Sequence, residues 1–575
     1  MKTRSGVWIL CLAASLASGQ TASARGDRRS VETVDGKTLE GRVLNESSFD
    51  LQVRTDDQKI HLLRPVSGRY REVTSETDWP SYNGGLDANR FTRLSQITRD
   101  NVSRLALKWM FTMPGVTLAE TTPVVAEGVM YVTSANECWA LDAGTGRQLW
   151  HFQRSKTQGL TGNAAGGFNR GVALAGDRVF MVTDNAHILA LNRSTGDLAW
   201  ETVMADWRQN YNATSAPLTV GNLVITGTAG GEQGARGFVA AYDQASGKEV
   251  WRFWTVPAAG EPGSESWKGK GIEHPSAVAW FTGSYDPELG LVYWPTGNPG
   301  PDYNDAERGG DNLYSCSILA LDAKTGKLKW HYQFTPHDVF DWDATEPPVL
   351  ADMDWQGQPR KLLLQANRNG FFYVLDRTNG KLLLAKPFVK KLTWAKEIGA
   401  DGRPVLNPLP ITSDGFTRVC PAQAGGTNWY STAWDASSGL YYLQTVEHCG
   451  LYSKKAIEWE AGRAYLGGSQ RTAPEDQSQK ILRALNVRTG AIEWEFPQIG
   501  PGTSWGGVMA TASGLVFVCE DSGAFAAMDA SNGKPLWRFQ TNQHWNASPM
   551  AYQFDGQQYV SVAAGGNILA FAIGE

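Results

Sequence analysis

The segment ALDAGTGRQLW, residues 140–150, indicates the fold class because it recurs along the chain. A second copy, ALNRSTGDLAW, occupies 190–200. In each copy the Leu-Asp or Leu-Asn pair predicts the end of a strand, Thr-Gly predicts a tight turn with glycine at positive φ, and the last residues begin the partner strand. The five further copies end at Trp251, Trp330, Leu384, Trp494 and Trp537.

The spacing of the copies predicts a β-propeller. The Asp or Asn of the seven copies falls at 142, 192, 243, 322, 376, 486 and 529, so most intervals are 43 to 54 residues long. That length suits a four-stranded blade. The two longer intervals contain the related phrases YDPELGLVY (285–293) and WDASSGLYY (434–442). We therefore predict an all-β, eight-bladed propeller whose terminal indoles dock between neighbouring blades.

Composition agrees with a large β-rich core. Of 575 residues, 62 are Gly and 23 are Trp, and 42% are hydrophobic while only 19% are charged. This balance excludes a disordered chain. The formal net charge is −5, so no basic surface indicates a nucleic-acid partner.

The N-terminus predicts an exported, periplasmic protein. Lys2 and Arg4 precede an apolar run at 7–17, and the triplet at 22–24 (Ala-Ser-Ala) offers a cleavage site, so we assign 1–24 as a signal peptide. Later in the chain no apolar stretch reaches 18 residues, and we expect no membrane span.

Residues 25–75 differ from the repeats. The segments VDGKTLEGRVL (34–44) and FDLQVRT (49–55) alternate in polarity like hairpin strands. We predict a small β accessory module there, of Sm-like type, followed by the propeller over 76–575.

Six cysteines limit the redox chemistry of the chain. Cys11 lies in the predicted signal peptide, which leaves an odd number in the exported protein. The sequence contains no CxxC or CxxCH, which excludes a covalently attached c-type haem or a zinc knuckle within it. Export permits a disulfide, but spacing alone does not select a pair.

Four further motifs give the chain its resemblance to a family. They are GGEQGARG (230–237), TGNP (296–299), TPHDVFDWD (335–343) and NRNG (367–370). In this order on a propeller, from about residue 78 to the C-terminus, they resemble the alcohol dehydrogenases that depend on pyrroloquinoline quinone (PQQ), the methanol/ethanol quinoprotein family. Because propellers host many functions, these motifs and not the fold carry the functional inference.

The resemblance implies a metal site with hard oxygen ligands. Glu232, Asn298 and Asp341 match ligand positions, and Asp341 also matches the catalytic base, whereas Asp338 falls in the turn. Asp343 supplies an additional carboxylate, which favours a lanthanide over Ca²⁺. Without the family, the default interpretation of Glu232 is a loop acid and that of Asn298 a turn residue, and Asp343 can be read as a turn cap.

The resemblance also implies a set of cofactor contacts. PQQ is a flat tricarboxylate, so it needs cations, hydrogen-bond donors and an aromatic surface. For any single Trp of the 23, packing between blades is the default interpretation. The residues that match cofactor-binding positions are Glu120, Arg170, Thr214, Ala229, Gly230, Gly231, Trp280, Arg368, Asn428 and Trp505.

The chain departs from the family pattern at two places. Ala164 and Ala165 stand where many members have a vicinal disulfide over the cofactor ring, and Asn567 follows the C-terminal Gly-Gly where methanol dehydrogenases have Trp. Cys420 and Cys449 match the family's second disulfide, and the resemblance predicts that bond, with two unlinked thiols as the alternative.

These observations predict an exported quinoprotein that oxidises primary alcohols to aldehydes by hydride transfer to PQQ. A separate cytochrome c then accepts the electrons, since the sequence has no haem motif. The alternative substrate is a sugar, polyol or polymeric alcohol, which the missing vicinal disulfide permits. A third alternative is a noncatalytic propeller scaffold. Family members are often dimeric, so a homodimer is also an expectation.

Overall fold

The computed structural model describes residues 26–57 and 59–574 and divides the chain into two units, 1–72 and 73–575. The predicted signal peptide at 1–24 lies outside the described residues. Strands dominate both units, which confirms the all-β prediction. Nowhere in the described ranges is a helix long and apolar enough to cross a membrane.

The first unit contains one five-stranded sheet in simple sequence order. Its core consists of Val31, Val43, Leu51, Val53 and Leu63, and polar residues flank Val31, Leu51 and Val53 on both sides. A Thr33–Tyr70 bridge links the chain after the first strand to the last strand. The strands are β1 (Arg28–Glu32), β2 (Thr38–Glu46), β3 (Leu51–Thr55), β4 (Ile60–Val66) and β5 (Arg69–Val73). The Sm-like type stays a prediction.

The second unit is built from short strands joined by tight turns. In chain order they are β6 (Ser75–Thr77), β7 (Phe91–Thr92), β8 (Leu105–Thr112), β9 (Val124–Ala126), β10 (Val129–Ser134), β11 (Glu137–Asp142), β12 (Gln148–Gln153), β13 (Ala173–Ala175), β14 (Arg178–Val182), β15 (His187–Asn192), β16 (Leu198–Val203), β17 (Leu218–Val220), β18 (Leu223–Gly227), β19 (Phe238–Asp243), β20 (Glu249–Trp254), β21 (Ser284–Asp286), β22 (Leu291–Pro295), β23 (Ser317–Asp322) and β24 (Leu328–Gln333).

The later strands are β25 (Val349–Trp355), β26 (Gln358–Ala366), β27 (Phe371–Asp376), β28 (Lys381–Pro387), β29 (Ala395–Ile398), β30 (Pro404–Leu406), β31 (Thr417–Val419), β32 (Ala433–Asp435), β33 (Leu440–Glu447), β34 (Gly450–Lys454), β35 (Gly468–Thr472), β36 (Gln479–Asn486), β37 (Ile492–Pro497), β38 (Val508–Thr511), β39 (Leu515–Cys519), β40 (Ala524–Asp529), β41 (Pro535–Gln540), β42 (Met550–Phe554), β43 (Gln557–Ala564) and β44 (Asn567–Ile573). Six 3-10 helices are described, at Val102–Arg104, Asn163–Gly166, Trp207–Gln209, Gly231–Gln233, Ser264–Ser266 and Lys270–Glu273.

Four-stranded antiparallel sheets repeat along this unit. Five of them use consecutive strands, from β9–β12 to β25–β28, and a sixth has the order β32-β33-β36-β37. The next, β38–β41, gains β7 at its edge, and the last joins β42–β44 to β8 and β6. Because β8 pairs with β44 in antiparallel register, this last sheet contains strands from both ends of the unit.

The recurring phrase is explained by an indole packed on a turn glycine of the following sheet. Trp251 lies so close to Gly326 (φ +69°) that a Cβ there would be 2.5 Å from its Cε3, and its Nε1 donates to the main-chain oxygen of Ala323 at 3.0 Å. The same contact joins Trp109 to Gly146, Trp150 to Gly196, Trp200 to Gly247, Trp330 to Gly380 and Trp494 to Gly533.

Two details refine the repeat pattern. Leu384, the single copy without a terminal Trp, lies with Lys386 against Gly490 in place of an indole. Trp109 packs on Gly146 like the other indoles although no repeat phrase precedes it. The phrase is absent because Trp109 lies in β8, whose partner strands β42–β44 come from the C-terminal end of the chain.

The Cys420–Cys449 disulfide is present, with Cα atoms 4.3 Å apart, which confirms the predicted pair. Among the described residues Cys138, Cys316 and Cys519 are free and buried.

The indole contact makes a testable prediction about stability. Gly326→Ala should lower the free energy of unfolding by about 1–3 kcal/mol more than Gly290→Ala, because overpacking adds to the backbone strain. Gly290 is a matched control, since it has φ +65° and a Cβ placed on it would meet no atom within 4 Å. Urea unfolding measures both variants, and equal losses would contradict the packing role.

Candidate active site

One cavity of about 380 Å³ collects most of the predicted site residues. Nine of the fourteen line it: Glu120, Arg170, Glu232, Trp280, Asp341, Asp343, Arg368, Asn428 and Trp505. The other five, Thr214, Ala229, Gly230, Gly231 and Asn298, lie outside its lining.

A capped turn presents the acidic residues of the 335–343 motif. Asp338 is buried, and its Oδ2 accepts main-chain N–H groups from Phe340, Asp341 and Trp342 at 3.3, 2.9 and 3.2 Å. Asp341 adopts φ +62°, in the left-handed region. The turn therefore holds Asp338 as a structural acid and leaves Asp341 and Asp343 facing the cavity.

Three carboxylates, those of Glu232, Asp341 and Asp343, line the cavity, and the pKa values of Asp341 and Glu232 are raised. Burial raises the pKa of Asp341 well above its usual value, and the negative charges of Asp302 and Asp343 raise it further. The Glu232 side chain reaches solvent through the open cavity. Partial desolvation by the surrounding residues and the charge of Asp343 nevertheless raise the pKa of Glu232.

Arg368 is the cation closest to these acids. Its Nη2 lies 3.1 Å from Asp343 Oδ2, and its Nη1 lies 3.9 Å from Asp341 Oδ1. Burial opposes its charge, but Asp343 and Asp341 outweigh that effect and raise the pKa of Arg368. Asp343 also accepts from Trp280 Nε1 at 2.8 Å and from the main-chain N–H of Asn298 at 2.5 Å.

The donors around this end of the cavity suit a hard cation. Over residues 26–57 and 59–574, no three His, Cys, Asp or Glu side chains are already grouped as metal ligands. The available donors are carboxylate oxygens and one amide oxygen, the ligands that Ca²⁺ and lanthanides prefer. Their charge exceeds that of the single nearby arginine, so the residues fit a cation of high charge.

Asp302 is a buried acid that the sequence analysis missed. Its side chain is 1% exposed, its Oδ1 accepts from Asn298 Nδ2 at 3.0 Å, and its Oδ2 has no partner in the described part of the chain. Because Asn298 donates through Nδ2, its amide oxygen is the atom left for a cation. In the sequence, Asp302 lies in the polar run PDYND (301–305), a composition typical of an exposed loop.

The other end of the cavity is aromatic and cationic. The Arg170 guanidinium lies 4.7 Å from the ring centroid of Trp280 and 4.6 Å from that of Trp429. Trp429 is nearly parallel to Trp505, with centroids 6.5 Å apart. Flat apolar faces beside a guanidinium form a surface for a flat anionic ring. Trp429 was not predicted, although it follows Asn428 directly.

Buried partners fix the position of Arg170. Its Nη2 lies 2.8 Å from Glu120 Oε2, and its Nη1 donates to Thr214 Oγ1 at 2.6 Å. The side chains of Arg170 and Glu120 are both less than a tenth exposed. Thr214 thus contacts Arg170 and does not line the cavity itself.

The 229–231 segment supports the loop that carries Glu232. Ala229 donates its N–H to the main-chain oxygen of Asn212 at 2.8 Å, and a Cβ on Gly230 (φ +111°) would lie 2.1 Å from the main-chain oxygen of Asn210. Only glycine fits there. Contact between this segment and a cofactor stays a prediction.

Five further lining residues were missed: Asn163, Phe168, Gln423, Ala424 and Asn546. The most informative is Gln423, whose Nε2 donates to Asp341 Oδ2 at 2.5 Å. Phe168 lines the cavity three residues after Ala165, and Ala164 is buried. Phe168 begins the Phe-Asn-Arg-Gly stretch that contains Arg170, whereas the other four belong to no motif or repeat and are brought here by the fold.

Comparison with known proteins agrees with this fold and site. Residues 79–386 and 499–560 match the family described as PQQ, glucose/ethanol/alcohol dehydrogenase, beta-propeller domain. A quinoprotein alcohol dehydrogenase, PedH, of Pseudomonas putida is 36% identical over 84% of this chain and 85% of its own length. A lanthanide-dependent methanol dehydrogenase of Methylacidiphilum fumariolicum is 34% identical over 85% and 84%.

A solved structure, a europium-containing methanol dehydrogenase, superposes with a TM-score of 0.81 at 31% identity. It covers 86% of this chain and 98% of its own. The fold and site define a quinoprotein propeller enzyme. The chain belongs to the PQQ-dependent quinoprotein alcohol dehydrogenase family, which is a family of oxidoreductases. The scaffold alternative is therefore set aside.

The contact between Asp302 and Asn298 predicts an effect on metal affinity. Asp302→Asn should weaken La³⁺ binding about 10–100-fold, as is usual when a residue that orients a metal ligand is replaced. The affinity for La³⁺ is measured from its displacement of bound Tb³⁺, which is followed by terbium luminescence. Asp142→Asn is the control, because Asp142 is a buried acid in a repeat turn that does not line the cavity. Unchanged affinity in Asp302→Asn would contradict the orienting role.

Proposed function

We propose that this chain is an exported quinoprotein that oxidises primary alcohols to aldehydes with PQQ and a bound cation. The observation that carries the proposal is a single cavity with acids and Arg368 at one end and Arg170 among indoles at the other. PQQ, when bound, supplies the two-electron acceptor for the alcohol.

The aromatic end of the cavity holds the cofactor in this proposal. Trp280 and Trp429 offer flat faces, and Arg170 and Arg368 would pair with the carboxylate and carbonyl oxygens of PQQ. Glu120 keeps Arg170 in place through the buried ion pair. The remaining proposed contacts are Thr214, Ala229, Gly230, Gly231, Asn428 and Trp505.

The acidic end holds the cation. We assign Glu232, Asn298, Asp341 and Asp343 as ligands, and Asp302 orients the amide of Asn298. The excess of carboxylates over arginines favours a trivalent lanthanide, with Ca²⁺ as the alternative.

Asp341 is the base in this proposal. Gln423 occupies its Oδ2, so Oδ1 is the atom that accepts the hydroxyl proton of the alcohol. Arg368 lies 3.9 Å from that oxygen and stabilises the carboxylate before the transfer.

Electrons leave to a separate cytochrome c, since the sequence carries no CxxCH motif. We also propose that the repeated four-stranded sheets are eight blades of one closed propeller. The pairing of β8 with β44 and the 3.0 Å hydrogen bond from Trp537 Nε1 to the main-chain oxygen of Leu105 support closure.

Replacement of the base tests the proposal directly. Asp341→Asn should lower dye-linked ethanol oxidation by about 10²–10⁴-fold, because the proton acceptor is lost. Apo-protein reconstituted with PQQ and either La³⁺ or Ca²⁺ is assayed, and PQQ absorbance verifies loading. Full activity in the variant, or a wild-type protein that binds PQQ and oxidises no primary alcohol with either metal, would refute the assignment.

Asp343 provides a separate prediction about metal choice. Asp343→Ala should weaken activation by La³⁺ more than activation by Ca²⁺, because the trivalent ion depends more on the additional negative charge. Activity is titrated against each metal with PQQ saturating. An equal loss with the two metals would show that Asp343 does not select the ion.

A further inference from the structure

A second cavity, of about 500 Å³, borders the active site. Trp505 and Ala424 line both cavities, so the two share a wall. Lys480 is the basic residue of the second cavity, and the residue is 1% exposed. Nothing in the proposed reaction uses this lysine.

The Lys480 ammonium is buried without an acidic partner. It lies in β36, its Nζ donates to the main-chain oxygen of Ser504, and it is 4.1 Å from the ring centroid of Tyr430. Within the described ranges, no carboxylate lies within ion-pair distance of Nζ. Buried charges in proteins are usually paired, so an ammonium without an ion-pair partner in the wall of a cavity indicates that the cavity binds an anion.

The nearby acids are already engaged. Asp476, which also lines this cavity, pairs with Lys391 and Arg418. Asp521 accepts consecutive main-chain N–H groups from 502–504 at 2.5, 3.1 and 2.9 Å. Neither acid is therefore free to neutralise the ammonium by direct contact.

Other atoms of the cavity complete a small binding site. His448 Nε2 and Ser504 Oγ are buried and have no hydrogen-bond partner in the part of the chain that the structure describes. Tyr430, Val446 and Trp505 provide apolar and aromatic wall. The cavity thus combines one cation and polar groups with room for an apolar body.

We propose that this cavity binds an organic monocarboxylate, with the carboxylate on Lys480 Nζ and the apolar body against Tyr430 and Trp505. The ligand supplies the negative charge that the fold does not. Burial lowers the pKa of Lys480 to about 7, while Asp521 opposes that shift, so the ammonium is present below neutral pH.

Calorimetric titration of the PQQ-loaded protein with benzoate at pH 6 tests the site. Benzoate should bind one to one, and Lys480→Met should weaken binding at least tenfold. The exposed Lys324→Met is the control and should bind like the wild type. Ethanol oxidation by the same samples reports separately on the proposed function, and Lys480→Met should retain it.

A second arm needs no variant. Benzamide has the shape of benzoate without its charge, and it should bind the wild-type protein at least tenfold more weakly. Absence of benzoate binding, equal binding of benzamide, equal binding by Lys480→Met, or preference for inorganic phosphate over benzoate would each overturn the proposal.

Discussion

The packing of an indole on a turn glycine determines how neighbouring sheets meet. Each contact places a tryptophan ring of one sheet against the main chain of the next, and a hydrogen bond from the indole nitrogen fixes its depth. Because the turn requires glycine at positive φ, the same residue provides the turn and the space for the ring. The loops that carry the site residues extend from sheets held in this way, so the packing of the sheets sets the distances between those residues.

The loops bring more negative charge together than the fold neutralises. Asp341 and Asp343 come from one motif and Glu232 from another, and Arg368 is the arginine that lies beside Asp341 and Asp343. Such a cluster of like charges is unfavourable unless a cation joins it. The aromatic end has the opposite arrangement, with Arg170 surrounded by indoles and balanced by Glu120. A metal and an anionic ring therefore complement the two ends.

The features that could be predicted from the sequence are those that recur along the chain or lie in a recognisable motif. Four-stranded sheets, indole docking and the Cys420–Cys449 bond followed from the repeat phrase or from the family resemblance. Trp109 was missed because its repeat is split between the two ends of the chain. Asp302 and Gln423 were missed because their roles arise only from three-dimensional proximity, whereas Trp429 was missed although it directly follows the predicted Asn428. The segment at 229–231 was assigned to the cofactor by its motif, while its main-chain contacts support the Glu232 loop.

The clustered carboxylates, in the function proposed above, hold a cation beside the quinone. Anomalous diffraction from crystals of the protein loaded with PQQ and La³⁺ is the sharpest test of that role. We expect one strong peak bounded by the side chains of Glu232, Asn298, Asp341 and Asp343. A peak elsewhere, or no peak in a protein that contains PQQ, would contradict it.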